Sequence, residues 1–425
     1  MKKRFWIDSV LATVFVFSIM WIIFNVSQFK IFDAFDPVGD ALEDMDITDV
    51  AFSNLREDPV PDTNIVVINI GYLSRAELAQ EVAIINQYDP KVIGIDILFD
   101  GLKQDTLGDM FLSTVLSDVD SLVLVSELLQ TPDFANKNKG DDLFDSLHVS
   151  HPIFSQNAHN GFANLFTDAD SQEDFKTCRS FPPMRKVGKE ENVAFAVKVA
   201  QLYDAEKANK ILERKNSSEV INYRGNVVDL YGRTDYPNRF YALDVNDVIT
   251  ENFTPGMIKD KIVLFGYMGR DFDDTSWDDK FFTPLNKKYA GKANPDMYGV
   301  VVHANIISMI LNEDYVNDVN DKEGFGILVA VFICFLNVSL FSFIYHRLPD
   351  WYDGITKTVQ LVEIGLILFL IVLLFSHYSF KLNLVISLAA IALAGDALEI
   401  YYGVVKNIFN KEKRRQLFTI KRKAV

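Results

Sequence analysis

Five aspartates, Asp271, Asp273, Asp274, Asp278 and Asp279, crowd one short stretch of the chain. Clustered carboxylates are what a hard cation such as calcium requires, because oxygen ligands must replace its water. The spacing lacks the glycine turn and the distal glutamate of an EF-hand loop, so a solvated acidic loop is the plainer reading and calcium the alternative. Just upstream, Gly266-Tyr267-Met268-Gly269-Arg270 has the glycines of a phosphate loop without its Gly-Lys-Ser/Thr ending. These glycines are expected only to let the chain turn. His148, His151 and His159 share a polar segment, but no cysteine or helical pairing supports a metal there, and free surface histidines are expected. His303 sits in an apolar stretch, where it reads as a packed or capping histidine, with a coupling or ligand contact as the alternative. No local nucleophile–histidine–acid signature appears. The expectation is a non-enzyme with no catalytic residue, no cofactor and no metal.

A second group of carboxylates lies in apolar surroundings. Glu363, Asp396 and Glu399 fall within or at the edge of long hydrophobic runs, and Asp396 and Glu399, three residues apart, share a helix face. A charge at such depth costs roughly 2.5–3.5 kcal/mol on insertion scales. The runs contain no Lys or Arg to pair with these acids. They are therefore expected to hydrogen-bond between helices, to move a proton, or to act as intramembrane coupling residues toward a partner.

Those runs cover residues 5–26, 324–345, 359–376 and 382–405, each about long enough to cross a bilayer as a helix. The first has a basic start but no small-x-small cleavage pattern after Val26, and reads as a retained anchor. Lys2, Lys3 and Arg4 precede it, while Lys406, Lys411, Lys413, Arg414, Arg415, Lys421, Arg422 and Lys423 follow the last run. This bias places both termini in the cytoplasm and requires an even number of crossings, which four satisfies. The basic tail fits a topology anchor, or contact with anionic lipid or a partner.

Four regions result: residues 1–26, a domain over 27–323, membrane helices over 324–405, and a tail over 406–425. The chain has 42 basic and 58 acidic residues, of which 27–323 holds 28 and 51. Its net charge of −23 leaves no basic footprint for nucleic acid. Cys178 is the domain's lone cysteine, so no internal disulfide can form and its core must rest on apolar burial. Residues 31–56 read as an amphipathic helical lead-in. Buried strands are expected at 64–70, 91–99, 121–126, 219–223 and 261–266. Helices are expected from the capping box Ser74-Arg75-Ala76-Glu77 to about 88, and at 106–116, 192–203 and 300–311. Residues 130–160 are polar and loop-like. Strands alternating with helices imply an α/β fold with a mostly parallel, mixed sheet and helices on both faces.

A series of blocks then carries a family likeness: Val92-Ile93-Gly94-Ile95-Asp96-Ile97-Leu98-Phe99; Gly161-Phe162-Ala163-Asn164 before Asp168-Ala169-Asp170; Ile221-Asn222-Tyr223-Arg224-Gly225; Asp244-Val245-Asn246-Asp247; Lys261-Ile262-Val263-Leu264-Phe265-Gly266; Thr283-Pro284-Leu285; and Val302-His303-Ala304-Asn305. In this order, between residues 65 and 311 and before a cluster of membrane helices, they resemble the type-2 CHASE domain. That is an extracellular sensory module found beside bacterial cyclases and kinases. Asn69 stands where the family usually has Asp. The resemblance implies a ligand-sensing ectodomain whose ligand or coupling candidates are Asp96, Asn164, Arg224, Thr283, His303 and Asn305, with Asp274 added from the acidic loop. It also implies a homodimer, since effectors of this family work in pairs. No effector is fused here, so a stand-alone member is expected, signalling to a separate cytoplasmic or membrane protein. The expected setting is a bacterial inner membrane with the domain in the periplasm, and the expected partners are that effector, membrane lipid and a second copy. The alternatives are a structural or assembly subunit of an envelope complex and a periplasmic hydrolase.

Overall fold

The computed structural model describes residues 2–27, 47–50, 52, 62–137, 143–167, 177–227, 240–272, 274–286, 294–318, 325–382 and 384–408. The chain divides into two units, one of residues 44–317 and one formed by residues 1–43 with 318–425.

The larger unit is organised by continuous β-branched runs. β1 (Asp62–Asn69), β2 (Val92–Ile95), β3 (Leu122–Leu129), β4 (Ser146–Val149), β5 (His159–Phe162), β6 (Phe240–Leu243) and β7 (Ile262–Gly266) form one sheet in the order β6-β1-β7-β2-β3-β4, with β5 also on β3. Every pairing is parallel except β3 with β4. Ile65, Val66, Val67 and Ile68 are all fully buried, as a strand covered on both faces requires. One face presents Val66, Ile68, Ile93, Ile95, Val263 and Phe265 to Leu78, Val82 and Ile85 of α2 (Arg75–Asn86) and to Leu112 of α3 (Thr106–Ser117). The opposite face receives α4 (Phe195–Tyr203) and α6 (Gly299–Asn312), which bracket the short α5 (Val245–Ile249) in sequence. Contact on that face is close, since a Cβ on Gly94 would stand 2.9 Å from both Leu264 and the Phe195 ring.

The capping box forms as expected: the Ser74 side chain accepts from Glu77 N, and the Glu77 carboxylate accepts from Ser74 N at 2.7 Å. Four expectations are corrected. The strand expected over 91–99 is only Val92–Ile95. The stretch 130–160 is more ordered than its polarity implies. It contributes a helix over Pro132–Lys137, the edge strand β4, a helix over Pro152–Ser155 and the start of β5. Edge strands tolerate polar side chains because one side faces water, and pairing with β3 outweighs weak local propensity. The helix expected from residue 192 starts at Phe195, because Asn192 and Val193 pair with Arg185 and Met184 in a hairpin. The strand expected over 219–223 is only Glu219–Val220, beyond which Ile221 N donates to the Arg179 carbonyl at 2.9 Å and Arg224 N to the Asn305 side chain. Most of the lead-in over 31–56 lies outside the described residues. Its described part is docked: Asp49 accepts from Arg179 Nη2 at 2.6 Å, and Phe52 is buried against Tyr223.

The smaller unit contains α1 (Lys2–Ser27), α7 (Phe325–Arg347), α8 (Tyr352–Tyr378) and α9 (Val385–Ile400). Four segments, Phe5–Ile23, Gly326–Arg347, Pro349–Tyr378 and Val385–Ile408, are long and apolar enough to cross a membrane. Ala12 and Val16 of α1, Cys334 and Val338 of α7, and Ala390 and Ala394 of α9 meet in the middle. Small side chains at such contacts let helix backbones approach closely. Leu328, Phe332, Leu361, Leu366 and Phe369 point outward, an apolar exterior suited to lipid.

Candidate functional site

The connections at the carboxyl end of the sheet diverge between β1 and β7. The chain leaves β1 for α2 on one face and leaves β7, through a long loop, for α6 on the other. Such a switch point opens a crevice in which ligands of α/β sheets bind. Here Asn69, paired with Gly266 across the two strand ends, occupies it. Its Oδ1 accepts from Gly71 N at 3.0 Å and Met268 N at 2.8 Å. Its Nδ2 donates to Asp244 Oδ1 at 2.9 Å and to the Gly269 carbonyl at 3.1 Å. A single buried amide thus ties together the loops after β1, β6 and β7. Gly71, at φ +46°, and Gly269, at φ +89°, supply the backbone turns this requires. Tyr72 and Tyr267 hydrogen-bond through their hydroxyls at 2.9 Å on the outer side of the same loops.

Asp96 follows β2, with its amide on the Phe265 carbonyl at 2.8 Å. Its carboxyl lies near that of Asp279; Asp96 is half-buried, and this partial burial followed by the second carboxylate pushes its pKa up. The Asp279 carbonyl accepts from Gly299 N at 3.0 Å, and its carboxylate stands 3.3–3.4 Å from where a Cβ on Gly299 would be. The pair therefore sits at the start of α6, where the helix dipole favours negative charge. Asp274 and Asp271 of the same loop are engaged elsewhere. Asp274 accepts from the amides of Arg270 and Ser276, each at 2.8 Å, and these backbone bonds hold its pKa down. Asp271 pairs with Arg270. Among the described residues no three potential ligands converge on one point.

Most of the other candidates are occupied as structural ties. Asn164 accepts from Leu128 N at 2.7 Å and donates to Leu128 O at 3.2 Å, extending the β3 edge. Asn305 and Arg224 are brought together: the fully buried Asn305 amide accepts from Arg224 N at 2.9 Å and donates to Gly225 O at 3.0 Å, while the Arg224 guanidinium pairs with Asp314. Thr283 donates through Oγ1 to Asp296 at 2.6 Å, and burial pushes the Asp296 carboxyl up to about 7. His303 lies under the sheet with its ring edge-on to Phe195 at 5.2 Å, bonded to the backbone of Ala163. Burial pushes its pKa down to about 4, so the imidazole is neutral. Among the surface histidines, His148 pairs with Asp100 at 2.7 Å and His151 accepts from Ile153 N at 3.4 Å.

In the membrane unit one expectation is overturned. Asp396 does have a basic partner, since Lys357 Nζ donates to its two oxygens at 2.6 and 2.7 Å. The expected run began at residue 359, but α8 starts at Tyr352, and this extra polar turn carries Lys357 to α9. Glu363 of α8 lies near Asn337 of α7. Glu399 is exposed on α9. Lys406 donates to Asp8 of α1 at 2.5 Å, joining the first and last membrane segments.

Asn69, Asp279 as the neighbour of Asp96, Lys357 and the Asp8–Lys406 pair were missed from residue types alone. So was Glu81. It lies three residues after Leu78 and beside Val82, on the inward face of α2, and a carboxylate in that stripe was the available signal.

A family model described as the CHASE2 domain matches residues 40–338. It reaches beyond the blocks seen in the sequence, into α7. No curated protein matches, and neither does any solved structure.

Proposed function

This chain belongs to the CHASE2 domain family, and on that premise we propose that it is a non-catalytic sensory protein that relays what its domain meets to a separate protein through its membrane helices. A sensory domain flanked by candidate membrane helices, one before it and three after, is the observation that carries this reading. The domain stands in the periplasm of a bacterial inner membrane, with both termini in the cytoplasm. A ligand or partner can drive the relay only by binding two arrangements of the domain with different affinity.

The ligand face is the carboxyl edge of the sheet, where the loops gathered by Asn69 and the Asp96–Asp279 pair stand together. The output face is the side of α8 and α9 that exposes the Lys357–Asp396 pair and Glu399. Charged groups exposed on membrane helices are costly to leave against lipid, and a protein partner relieves that cost. A second copy of the chain and anionic lipid complete the setting, and the acidity of the domain argues against nucleic acid.

Purification of the intact protein from native membranes in mild detergent tests the reading. Co-purification of a cytoplasmic or membrane enzyme is expected, and Asp396→Leu should abolish it. Impermeant labelling should also separate Arg224→Cys, outside, from Arg422→Cys, inside. Labelling of both from one side removes the relay. A permanent, stoichiometric envelope assembly would instead make the chain a structural subunit.

A further inference from the structure

Among the described carboxylates of the domain, Glu81 is fully buried with neither oxygen hydrogen-bonded. It projects from the middle of α2. Leaving a buried carboxylate in this state costs several kcal/mol if it is charged, about what removes its ionisation at neutral pH.

The charged groups on the elements around it are otherwise engaged. On α2 itself, Arg75 is paired with Asp109 of α3, and Glu77 is turned back to the Ser74 amide. On and after α5, the Asp247 carboxylate accepts from Asp244 N at 3.1 Å and from Asn252 at 3.1 Å, and Glu251 accepts from Tyr88. Asp244 caps α5, which packs on α2, with Leu243 and Val248 in the same core as Leu78 and Val82, and its carboxylate adds to the effect of burial on Glu81.

Asp244 is no bystander. Its Oδ1 accepts from Asn69 Nδ2 at 2.9 Å and from Val245 N at 3.0 Å, capping α5, and its Oδ2 accepts from Phe272 N at 3.4 Å. It is half-buried, so it has room to move toward water where Glu81 has none. Through Asn69 it is linked to Gly71, Met268 and Gly269, the loops at the switch point.

We propose that Glu81 is a proton-operated latch on the carboxyl edge of the sheet: protonated, it tolerates Asp244 beside it and the loops stay tied to Asn69; ionised, it expels Asp244 and releases them. Two like charges cannot share a dry site, and the more mobile partner yields. Loss of Asp244 from the hub removes one of the two acceptors of Asn69 Nδ2, the cap of α5 and the anchor of Phe272. The loop over residues 266–272 then opens while the strands beneath keep their pairing. Burial first, and Asp244 second, push the pKa of Glu81 up to about 8, so the change falls on the alkaline side of neutrality. This goes beyond the relay reading and holds whether or not a partner receives the signal.

Hydrogen exchange on the purified full-length protein, corrected for intrinsic rates, tests it. Between about pH 6 and about pH 9, protection of residues 266–272 and of α5 should fall at least about tenfold. Protection of β2 and β3 should stay constant. In Glu81→Gln the loop protection should be independent of pH; should that variant not fold, Glu81→Met removes the charge at similar volume. Equal pH dependence in wild type and variant, no pH dependence in wild type, or parallel loss in loops and strands would each overturn the latch.

Discussion

Asn69 decides what the carboxyl edge of this sheet can be. It uses its acceptor on two amides and its donor on an acid and a carbonyl, so neither an all-donor nor an all-acceptor side chain replaces it. Asn69→Asp, which restores the residue usual in the family, should destabilise the domain by about 2–4 kcal/mol at neutral pH, because it sets a carboxylate against Asp244. Part of that loss should return on acidification, read by denaturant titration. His303 sets the opposite pH limb from Glu81. The unfolded chain binds a proton near 6.5, whereas burial holds the folded imidazole to about 4. Stability contributed by the neutral ring is therefore present above 6.5 and lost as pH falls toward 4, by up to about 3 kcal/mol. His303→Phe should flatten that acid limb, and an unchanged slope would show that another group causes it.

At the scale of elements, close approach of α6 to β7 fixes the opposite face of the sheet. A Cβ on Gly266 would stand 2.4 Å from Val300 Cβ. Gly266→Ala should cost about 1–3 kcal/mol by forcing strand and helix apart, measurable as a lowered thermal midpoint. The same variant should also disturb the Asp96–Asp279 pair, since Asp279 is held at the start of that helix by Gly299. The capping box at α2 is a smaller effect. Ser74→Ala should cost about 1 kcal/mol in the same titration, leaving the sheet intact. At the far edge, β4 and β5 show how pairing with an existing strand recruits polar sequence that carries little signal of its own.

At the scale of the whole molecule, the membrane unit is held by polar contacts among otherwise apolar helices. Lys357–Asp396 links α8 to α9, and Asp8–Lys406 closes the first segment on the last. Such contacts are worth about 1–2 kcal/mol each in model helices. Asp8→Lys and Lys406→Asp should each lower the thermal midpoint in detergent, and the double swap should recover most of the loss. Failure of the swap to recover would show that the pair is incidental to assembly.

The sequence alone determined the α/β class, the membrane segments and the family, because each depends on patterns repeated over many residues: β-branched runs, turn punctuation and long apolar stretches. It also determined local features such as the Ser74 capping box, whose partners are three residues apart. Only the tertiary structure decided which polar residues are ties and which are uncompensated. Asn164, Arg224, Thr283 and Asn305, named as ligand or coupling candidates, each bond to a neighbouring segment, which residue type alone does not reveal. Asn69 and Asp244 appeared only within the family likeness and Glu81 drew no attention, yet Asn69 and Asp244 hydrogen-bond to each other and Glu81 is buried on the helix packed beside them. The reason is distance along the chain: Asn69 and Asp244 are 175 residues apart, and burial, which sets the energy of a polar group, is defined only once distant segments have packed around it.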